Sequence, residues 1–212
     1  MNKLYTWNTP NGQKPVIALE EMAISYELVP VDITNEAQFD PAFIRINPNG
    51  KIPAYVENEL AIFESGAILQ YLAETRGAFL PESGPERVQT LSWCYWQVGG
   101  LGPMIGQWGH FAWADEKIPY AINRYLDESL RLYKVLDTRL NDARFLAGDT
   151  YTIADMMSYP WAKGGLNYLK QSIGDDLPDL PGVSRWIEEI DGRPAVARAM
   201  DRIETAVKLP QG

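Results

Sequence analysis

The feature that most constrains this chain is a change of hydrophobic period near residue 77 of its 212 residues. Before that point, short alternating stretches typical of strands are interleaved with helical spacing. After it, apolar residues recur only at the three- and four-residue spacing of amphipathic helices. A connector rich in proline and glycine, residues 78–85, separates the two patterns. The sequence therefore predicts two domains, a mixed α/β domain over residues 1–77 and an all-helical domain over residues 86–212.

The first domain is predicted to have the element order βαβαββα. Pro15 is assigned to the first turn of the first helix, because the missing proline N–H is not needed there. The short stretch Glu-Asn-Glu between the last two strands predicts a hairpin. The predicted strands are residues 4–7, 26–31, 54–56 and 60–63, and the predicted helices are residues 15–23, residues 39–46 and a helix that starts at Ser65.

The second domain is predicted to contain only helices. Thr-Ile-Ala-Asp at residues 152–155 is a capping-box pattern, in which Thr152 and Asp155 each satisfy a backbone N–H at a helix start. We assign this motif a structural role and not a catalytic one. The predicted helices are residues 86–113, 119–140, 153–169, 183–190 and 195–207.

Charge and composition exclude several classes of function. Lysine and arginine total 19 against 28 acidic residues, and the net charge of −9 repels nucleic acid and anionic membranes. No apolar run approaches the roughly 20 residues of a membrane span, and no signal peptide is recognised. With only Cys94 and His110, the chain has neither an internal disulfide nor a multi-ligand thiolate or histidine metal site. We therefore expect a cytoplasmic protein without a metal, a nucleic-acid partner or a membrane anchor.

Three short motifs placed on this outline resemble those of the glutathione S-transferase superfamily. They are Asn-Gly-Lys-Ile-Pro-Ala at residues 49–54, Phe-Glu-Ser-Gly at residues 63–66 and the capping box at residues 152–155. The resemblance covers nearly the whole chain. It implies an N-terminal thioredoxin-like βαβαββα domain that binds glutathione, followed by an all-helical C-terminal domain that carries the second-substrate pocket and part of a dimer interface.

The first motif implies a cis peptide bond between Ile52 and Pro53, which is rare and specific to proline. In the superfamily, the residue before this proline faces the bound peptide. The N–H and C=O of Ile52 are then expected to pair with the cysteinyl residue of glutathione, as an added β-strand would. A plain turn before a strand is the alternative for this run.

The second motif lies where a strand is followed by a helix, and a helix N-terminus attracts carboxylates. The resemblance implies that Glu64 binds the ammonium of the γ-glutamyl end of glutathione and that Ser65 binds its carboxylate. Ser65 can also be a simple helix N-cap, and the two roles are compatible.

The loop before the first helix, residues 7–14, contains neither tyrosine nor cysteine. A mixed disulfide with a cysteine of this loop is therefore excluded. A hydroxyl at Thr9, an amide at Asn11 and the helix dipole remain to stabilise a glutathione thiolate, whose thiol has an unperturbed pKa of about 8.5. Their relative roles stay open.

Thr-Pro-Asn-Gly at residues 9–12 is similar to a motif of the nu-class, disulfide-bond oxidoreductase branch of the superfamily. The run at residues 96–104 resembles the fourth-helix motif of the same branch. The resemblance implies that Asn11 contacts the thiol and that Gln38, together with Ile52, holds the peptide backbone. It also implies that Arg124 contributes from the helical domain.

The branch resemblance implies reduction of small disulfides by two glutathione thiols, which end as oxidised glutathione. Organic hydroperoxide reduction and weak conjugating activity are further implied, as is a homodimer. Whether one or two glutathiones bind per subunit stays open. The alternatives are a general transferase that conjugates electrophiles and a non-catalytic binding or regulatory protein with the same fold.

Glycines and aromatic residues crowd the expected fourth helix. Its four glycines leave room for a second glutathione or allow two helices of a dimer to approach closely, and Gly102-Pro103 is expected to bend the helix. The glycines are Gly99, Gly100, Gly102 and Gly106.

Trp108 and Phe111 are assigned to the mouth of the second-substrate pocket, although such aromatic runs are more often core. His110 is not placed among the catalytic residues, and Cys94 is expected to be a buried apolar filler.

Overall fold

The structure, a computed structural model, describes residues 1–208. The chain forms two compact units. The first contains Met1–Leu80 together with residues 191–208, and the second contains Pro81–Ile190. Within residues 1–208, no helix combines the length and apolar character that crossing a membrane requires.

The predicted βαβαββα order is confirmed in the first unit. Its four strands form one sheet in the order β2-β1-β3-β4, in which β1 and β2 are parallel and the other neighbours antiparallel. The strands are β1 Asn2–Thr6, β2 Tyr26–Pro30, β3 Ala54–Glu57 and β4 Leu60–Phe63. The helices of the chain are α1 Pro10–Glu21, α2 Pro41–Ile44, α3 Ser65–Arg76, α4 Gly84–Trp96, α5 Gly102–Trp113, α6 Pro119–Asp142, α7 Ile153–Ile173, α8 Pro181–Asp191 and α9 Pro194–Lys208.

Helix α1 begins five residues earlier than the predicted start at Pro15. Thr9 is its N-cap and Pro10 occupies the first helical position, where a proline costs nothing. Pro15 lies inside the helix and removes a single backbone donor there. As a consequence, Asn11 belongs to the first turn of α1 and not to a loop.

The sheet has an apolar layer on both faces because neighbouring side chains of a strand point to opposite sides. Leu4 and its cross-strand partner Tyr55 are fully buried, as are Ile17 of α1 and Leu69 of α3. On the other face, a smaller cluster of Val31, Phe43 and Ala54 is completed by the half-buried Tyr5, Ala37, Ile46 and Ile52. This second cluster supports the segment that precedes β3.

The last helix, α9, belongs to the first unit, although the sequence analysis assigned residues 86–212 to one helical domain. Arg193 donates to a carboxylate oxygen of Glu21 at 2.9 Å, and Arg202 donates to Glu20 at 3.0 Å. Both acids lie at the end of α1. The contacts join residues more than 170 positions apart, so periodicity cannot reveal them.

The predicted continuous helix over residues 86–113 is interrupted. A π-helical segment, Gln97–Leu101, separates α4 from α5, and Pro103 lies in the first turn of α5. Proline has no N–H to continue an α-helical ladder, and a single-turn π segment is one way in which a helix accommodates such an interruption.

Two of the four glycines of this region make room for Trp161 of α7 in the second unit. A Cβ at Gly106 would lie 3.3 Å from the indole ring, and one at Gly102 would lie 3.2 Å from its Nε1. The sequence predicts only a second peptide or a second helix as the neighbour of these glycines. A Cβ at Gly99 would meet nothing within 4 Å.

The capping box at the start of α7 is confirmed. Asp155 is fully buried and accepts hydrogen bonds from the backbone N–H groups of Leu146 and Thr152, at 3.0 and 2.9 Å, and from the indole N–H of Trp186 at 2.9 Å. Burial raises the pKa of the Asp155 carboxyl to about 6, although these hydrogen bonds oppose the rise. Its side chain therefore joins three segments of the second unit.

We expect Asp155→Ala to lower the free energy of unfolding by about 3 kcal/mol, because it removes a helix cap and leaves buried donors unpaired. The measurement is urea denaturation followed by circular dichroism. Asp149→Ala is the matched control, since Asp149 is exposed, and its effect should stay within about 0.5 kcal/mol. Equal effects of the two substitutions would contradict the structural role of Asp155.

Candidate active site

The junction between β1 and α1 depends on a very close backbone approach at Gly12. A Cβ on this residue would overlap the carbonyl oxygen of Trp7 and would lie 2.5 Å from Thr6 Oγ1. The buried Thr6 hydroxyl donates to the Gly12 carbonyl at 3.1 Å. Only glycine allows the first turn of α1 to lie against the end of β1, and this contact places Thr9 and Asn11.

Thr9 is the N-cap of α1. Its Oγ1 accepts a hydrogen bond from the Gly12 N–H at 3.2 Å. A hydroxyl has one proton to donate and two lone pairs to accept with. The cap uses one lone pair, so the hydroxyl proton of Thr9 stays available to donate to an anion.

Asn11 is the second residue of α1 and is half-buried. The first turn of a helix carries partial positive charge on its N–H groups, which favours an anion nearby. Asn11 therefore adds an amide donor where the backbone already favours negative charge. The loop offers no competing nucleophile, as the sequence analysis expected.

The Ile52–Pro53 peptide bond is cis, as the resemblance implied. Pro53 is buried, and Ile52 packs against the smaller apolar cluster. Ile52 lies just before β3, and within residues 1–208 its N–H and C=O take part in no backbone hydrogen bond. These two groups match the donor and acceptor that an extended peptide presents.

Gln38 lies in the short 3₁₀ segment Ala37–Phe39. Its Oε1 is buried, and it has no hydrogen-bond partner among the residues that the structure describes. Buried polar atoms are rarely left unpaired in native proteins. An unpaired amide oxygen is therefore consistent with a ligand that donates an N–H here.

Glu64 and Ser65 stand at the start of α3. Glu64 has φ +69° and ψ 117°, a left-handed conformation that is unfavourable for a residue with a side chain. Glu64 occupies the N-cap position, so the alternative assignment of Ser65 as N-cap is wrong. Ser65 is the first helical residue and is 6% exposed, whereas the Glu64 side chain is exposed.

Lys14, which no sequence motif identifies as a site residue, is the one lysine among the buried polar and charged residues of the described chain. It lies on α1, is 1% exposed, and its Nζ donates to Ser65 Oγ at 3.3 Å. The signal was available, since Lys14 directly precedes the apolar run at residues 15–19. Because the partner is 51 residues away, only the tertiary structure identifies it.

The second unit contains a cavity of about 860 Å³ beside α5 and α6. Arg124 lies on its wall. Phe111 is not among the lining residues, but its ring stacks on that of Tyr125, with centroids 5.6 Å apart. The lining residues are Met104, Tyr120, Asn123, Arg124, Tyr125, Asp127, Glu128 and Arg131.

Two other residues of α4 and α5 are not available to a ligand in this structure. Trp108 is 2% exposed and lies in the core, so we remove it from the pocket mouth to which the sequence analysis assigned it. Cys94 is a buried free cysteine, which confirms its assignment as a filler.

The charged groups of the cavity are unequally paired. Arg131 donates to both carboxylate oxygens of Glu128, at 2.7 and 2.8 Å, and this hydrogen bonding lowers the pKa of the Glu128 carboxyl. Within residues 1–208, Arg124 makes no ion pair. Its guanidinium is therefore the cation best able to bind an incoming carboxylate in this cavity.

Both parts of the chain match known domain families. The family "Glutathione S-transferase, N-terminal domain" matches residues 2–74, and the family "Glutathione S-transferase, C-terminal domain" matches residues 113–194. The chain therefore belongs to the glutathione S-transferase family.

Among curated relatives, the chain is similar to the disulfide-bond oxidoreductase YfcG of Escherichia coli (strain K12). The two are 47% identical over 208 residues, which cover 94% of each chain. It is also 41% identical to the disulfide-bond oxidoreductase YghU of the same strain, over 92% of this chain and 73% of the relative. Both similarities lie far above the level that defines a common fold.

Solved structures of the family resemble this chain closely. A glutathione transferase family member from Pseudomonas fluorescens pf-5 with two glutathiones bound has a TM-score of 0.88 at 37% identity, covering 94% of this chain and 92% of that chain. A glutathione transferase from Pseudomonas putida, with one glutathione disulfide bound per subunit, also has a TM-score of 0.88. It is 38% identical and covers 94% of this chain and 90% of that chain.

We expect Gly12→Ala to destabilise the first unit by about 2 kcal/mol or more, because overpacking against backbone atoms leaves no room for relaxation. Thermal unfolding followed by circular dichroism measures this loss. Gly99→Ala is the matched control and should leave the unfolding temperature unchanged or slightly higher, since alanine suits a helix better than glycine. A tolerated Gly12→Ala substitution would show that the close approach is not required.

Proposed function

We propose that this protein is a glutathione-dependent disulfide-bond oxidoreductase, in which glutathione supplies the reactive sulfur. One observation carries the proposal. Thr9 and Asn11 stand at the positive end of α1 with donors for an anion, while their loop has no thiol or phenol of its own. The identity to the two disulfide-bond oxidoreductases supports the same assignment.

The proposed peptide site uses unpaired groups of the first unit. The N–H and C=O of Ile52, beside the cis Pro53, pair with the cysteinyl residue of glutathione. Gln38 accepts a peptide N–H through its buried Oε1. Glu64 and Ser65 hold the ammonium and the carboxylate of the γ-glutamyl end. Separately, Arg124 of the second unit is proposed as a further contact for a glutathione carboxylate.

The proposed reaction has two thiol–disulfide exchange steps. A glutathione thiolate attacks one sulfur of the substrate disulfide, so that a glutathionyl mixed disulfide forms and the first product thiol leaves. A second glutathione thiolate attacks the glutathionyl sulfur, which releases the second product thiol and oxidised glutathione. The substrate disulfide gains two electrons, and the two glutathione thiols lose them.

Thr9 and Asn11 act on the attacking sulfur. Hydrogen bonds to the charged form of a group lower its pKa, and both residues offer donors at a helix N-terminus. A lower thiol pKa raises the thiolate fraction at neutral pH. Hydroperoxide reduction by the same pair of thiols and weak conjugation of electrophiles are secondary activities of the proposed site.

A homodimer follows from the family resemblance, and a cytoplasmic location suits an enzyme that consumes reduced glutathione. A general conjugating transferase is the second candidate. The absence of a tyrosine or serine in residues 7–14 makes strong conjugation a weaker candidate. A non-catalytic binding protein is weaker still, because competent side chains occupy every proposed contact position.

The deciding experiment compares two substrates at a fixed glutathione concentration, a hydroxyethyl disulfide and an aryl chloride electrophile. We expect kcat/KM to be higher for the disulfide, because the site stabilises a thiolate for exchange and supplies a second thiol. Formation of oxidised glutathione is measured with a coupled glutathione reductase assay, and conjugate formation is measured by absorbance. A preference for the electrophile would favour the conjugating transferase.

Asn11→Ala should lower kcat for disulfide reduction by about 10- to 100-fold, since a hydrogen bond to a charged group contributes about 1.5–3 kcal/mol. KM for glutathione should change little, because the peptide contacts remain. The ultraviolet absorbance of the bound thiolate, titrated with pH, should show a raised thiol pKa in the variant.

Asn8→Ala is the control for the Asn11 substitution. Asn8 is exposed in the same loop, and among the described residues its side chain bonds only to that of Gln13, at 2.9 Å. Its kcat should equal that of the unmodified protein. An Asn11→Ala variant with unchanged kcat would show that Thr9 and the helix dipole suffice.

A further inference from the structure

We propose that Lys14 is a positioning residue that orients the Ser65 hydroxyl and supplies the positive charge for the γ-glutamyl carboxylate of glutathione. This inference rests on the proposed function, since it concerns the same peptide site. It assigns a role to a residue that the sequence motifs leave without one.

The burial of Lys14 is not explained by packing. Its side chain is 1% exposed, and the five residues that follow it on α1 are all apolar and buried. Desolvating an ammonium is costly unless polar partners compensate. A leucine or methionine would fill the same volume without this cost, so the retained charge indicates an electrostatic role.

The hydrogen bond to Ser65 determines which way that hydroxyl can act. An ammonium has only donors, so Ser65 Oγ must accept from Lys14 Nζ at their separation of 3.3 Å. The hydroxyl proton of Ser65 is then left to donate elsewhere. The adjacent ammonium also polarises the O–H bond and makes it a better donor.

Three features at this place therefore match one ligand group. Ser65 donates through its hydroxyl, the first residues of α3 present N–H groups without helical acceptors, and Lys14 supplies a full positive charge. A carboxylate satisfies all three. Glu64 stands next to Ser65 with an exposed carboxylate, which suits the neighbouring ammonium. The arrangement is selective for the free α-amino-acid end of a γ-glutamyl peptide.

The test compares two ligands by isothermal titration calorimetry. One is glutathione, and the other is 4-aminobutyryl-cysteinyl-glycine, which lacks only the γ-glutamyl carboxylate. The unmodified protein should bind glutathione at least about tenfold more tightly than the analogue, as expected for a charge-assisted contact.

Lys14→Met should remove most of this preference for glutathione over the analogue. It should weaken glutathione binding by about tenfold and leave the affinity for the analogue unchanged, because the analogue has no carboxylate to lose. Lys3→Met is the matched control, since the partly exposed Lys3 pairs, within residues 1–208, only with Glu27 at 3.2 Å on the neighbouring strand. The Lys3→Met variant should keep the full preference for glutathione over the analogue. Equal losses for both ligands in Lys14→Met would show a purely structural role and overturn the inference.

Lys14→Gln keeps a polar side chain at this position but removes the positive charge, and it decides the matter if Lys14→Met does not fold. It should reduce the preference for glutathione over the analogue. An undiminished preference in Lys14→Gln would contradict the inference. A protein that binds glutathione and the analogue equally would also contradict it while leaving the proposed function intact. An unmodified protein that binds neither ligand would instead refute the proposed function.

Discussion

The contact on which the first unit depends is the approach of Gly12 to the end of β1. The Trp7 carbonyl and the Thr6 hydroxyl occupy the space that any side chain at Gly12 would need. Because this contact holds the first turn of α1 against the sheet, the cap residue Thr9 and its neighbour Asn11 have defined positions. A helix N-terminus held in this way can stabilise an anion without reorganising, which is the electrostatic condition for activating a thiol.

The proposed peptide site combines polar groups of the first unit that are buried or lack a backbone partner. The Ile52 backbone groups, the buried Gln38 Oε1 and the Lys14–Ser65 hydrogen bond all lie in the first unit. A buried oxygen without a partner, such as Gln38 Oε1, is unfavourable without a ligand, since buried polar groups are normally satisfied. The concentration of these polar groups in one small domain favours a zwitterionic peptide over an apolar ligand.

Much of the local structure could be predicted, and the errors have specific causes. The start of α1 was placed at Pro15 because a proline usually marks a first turn, whereas Pro10 fills that position and Pro15 is tolerated inside the helix. Ser65 resembles an N-cap in sequence, but the backbone of Glu64 takes the cap position. Trp108 lies in an aromatic run whose helical spacing does not distinguish a core residue from a pocket residue.

The sequence by itself determined the order of elements, the capping box, the cis-proline motif and the absence of a nucleophile in the first loop. These are local properties, because periodicity and short motifs depend on residues a few positions apart. Only the tertiary structure decided that α9 completes the first unit, that Trp161 occupies the space beside Gly102 and Gly106, and that Lys14 reaches Ser65. Each of these contacts joins residues more than 50 positions apart, and such pairings are set by three-dimensional packing.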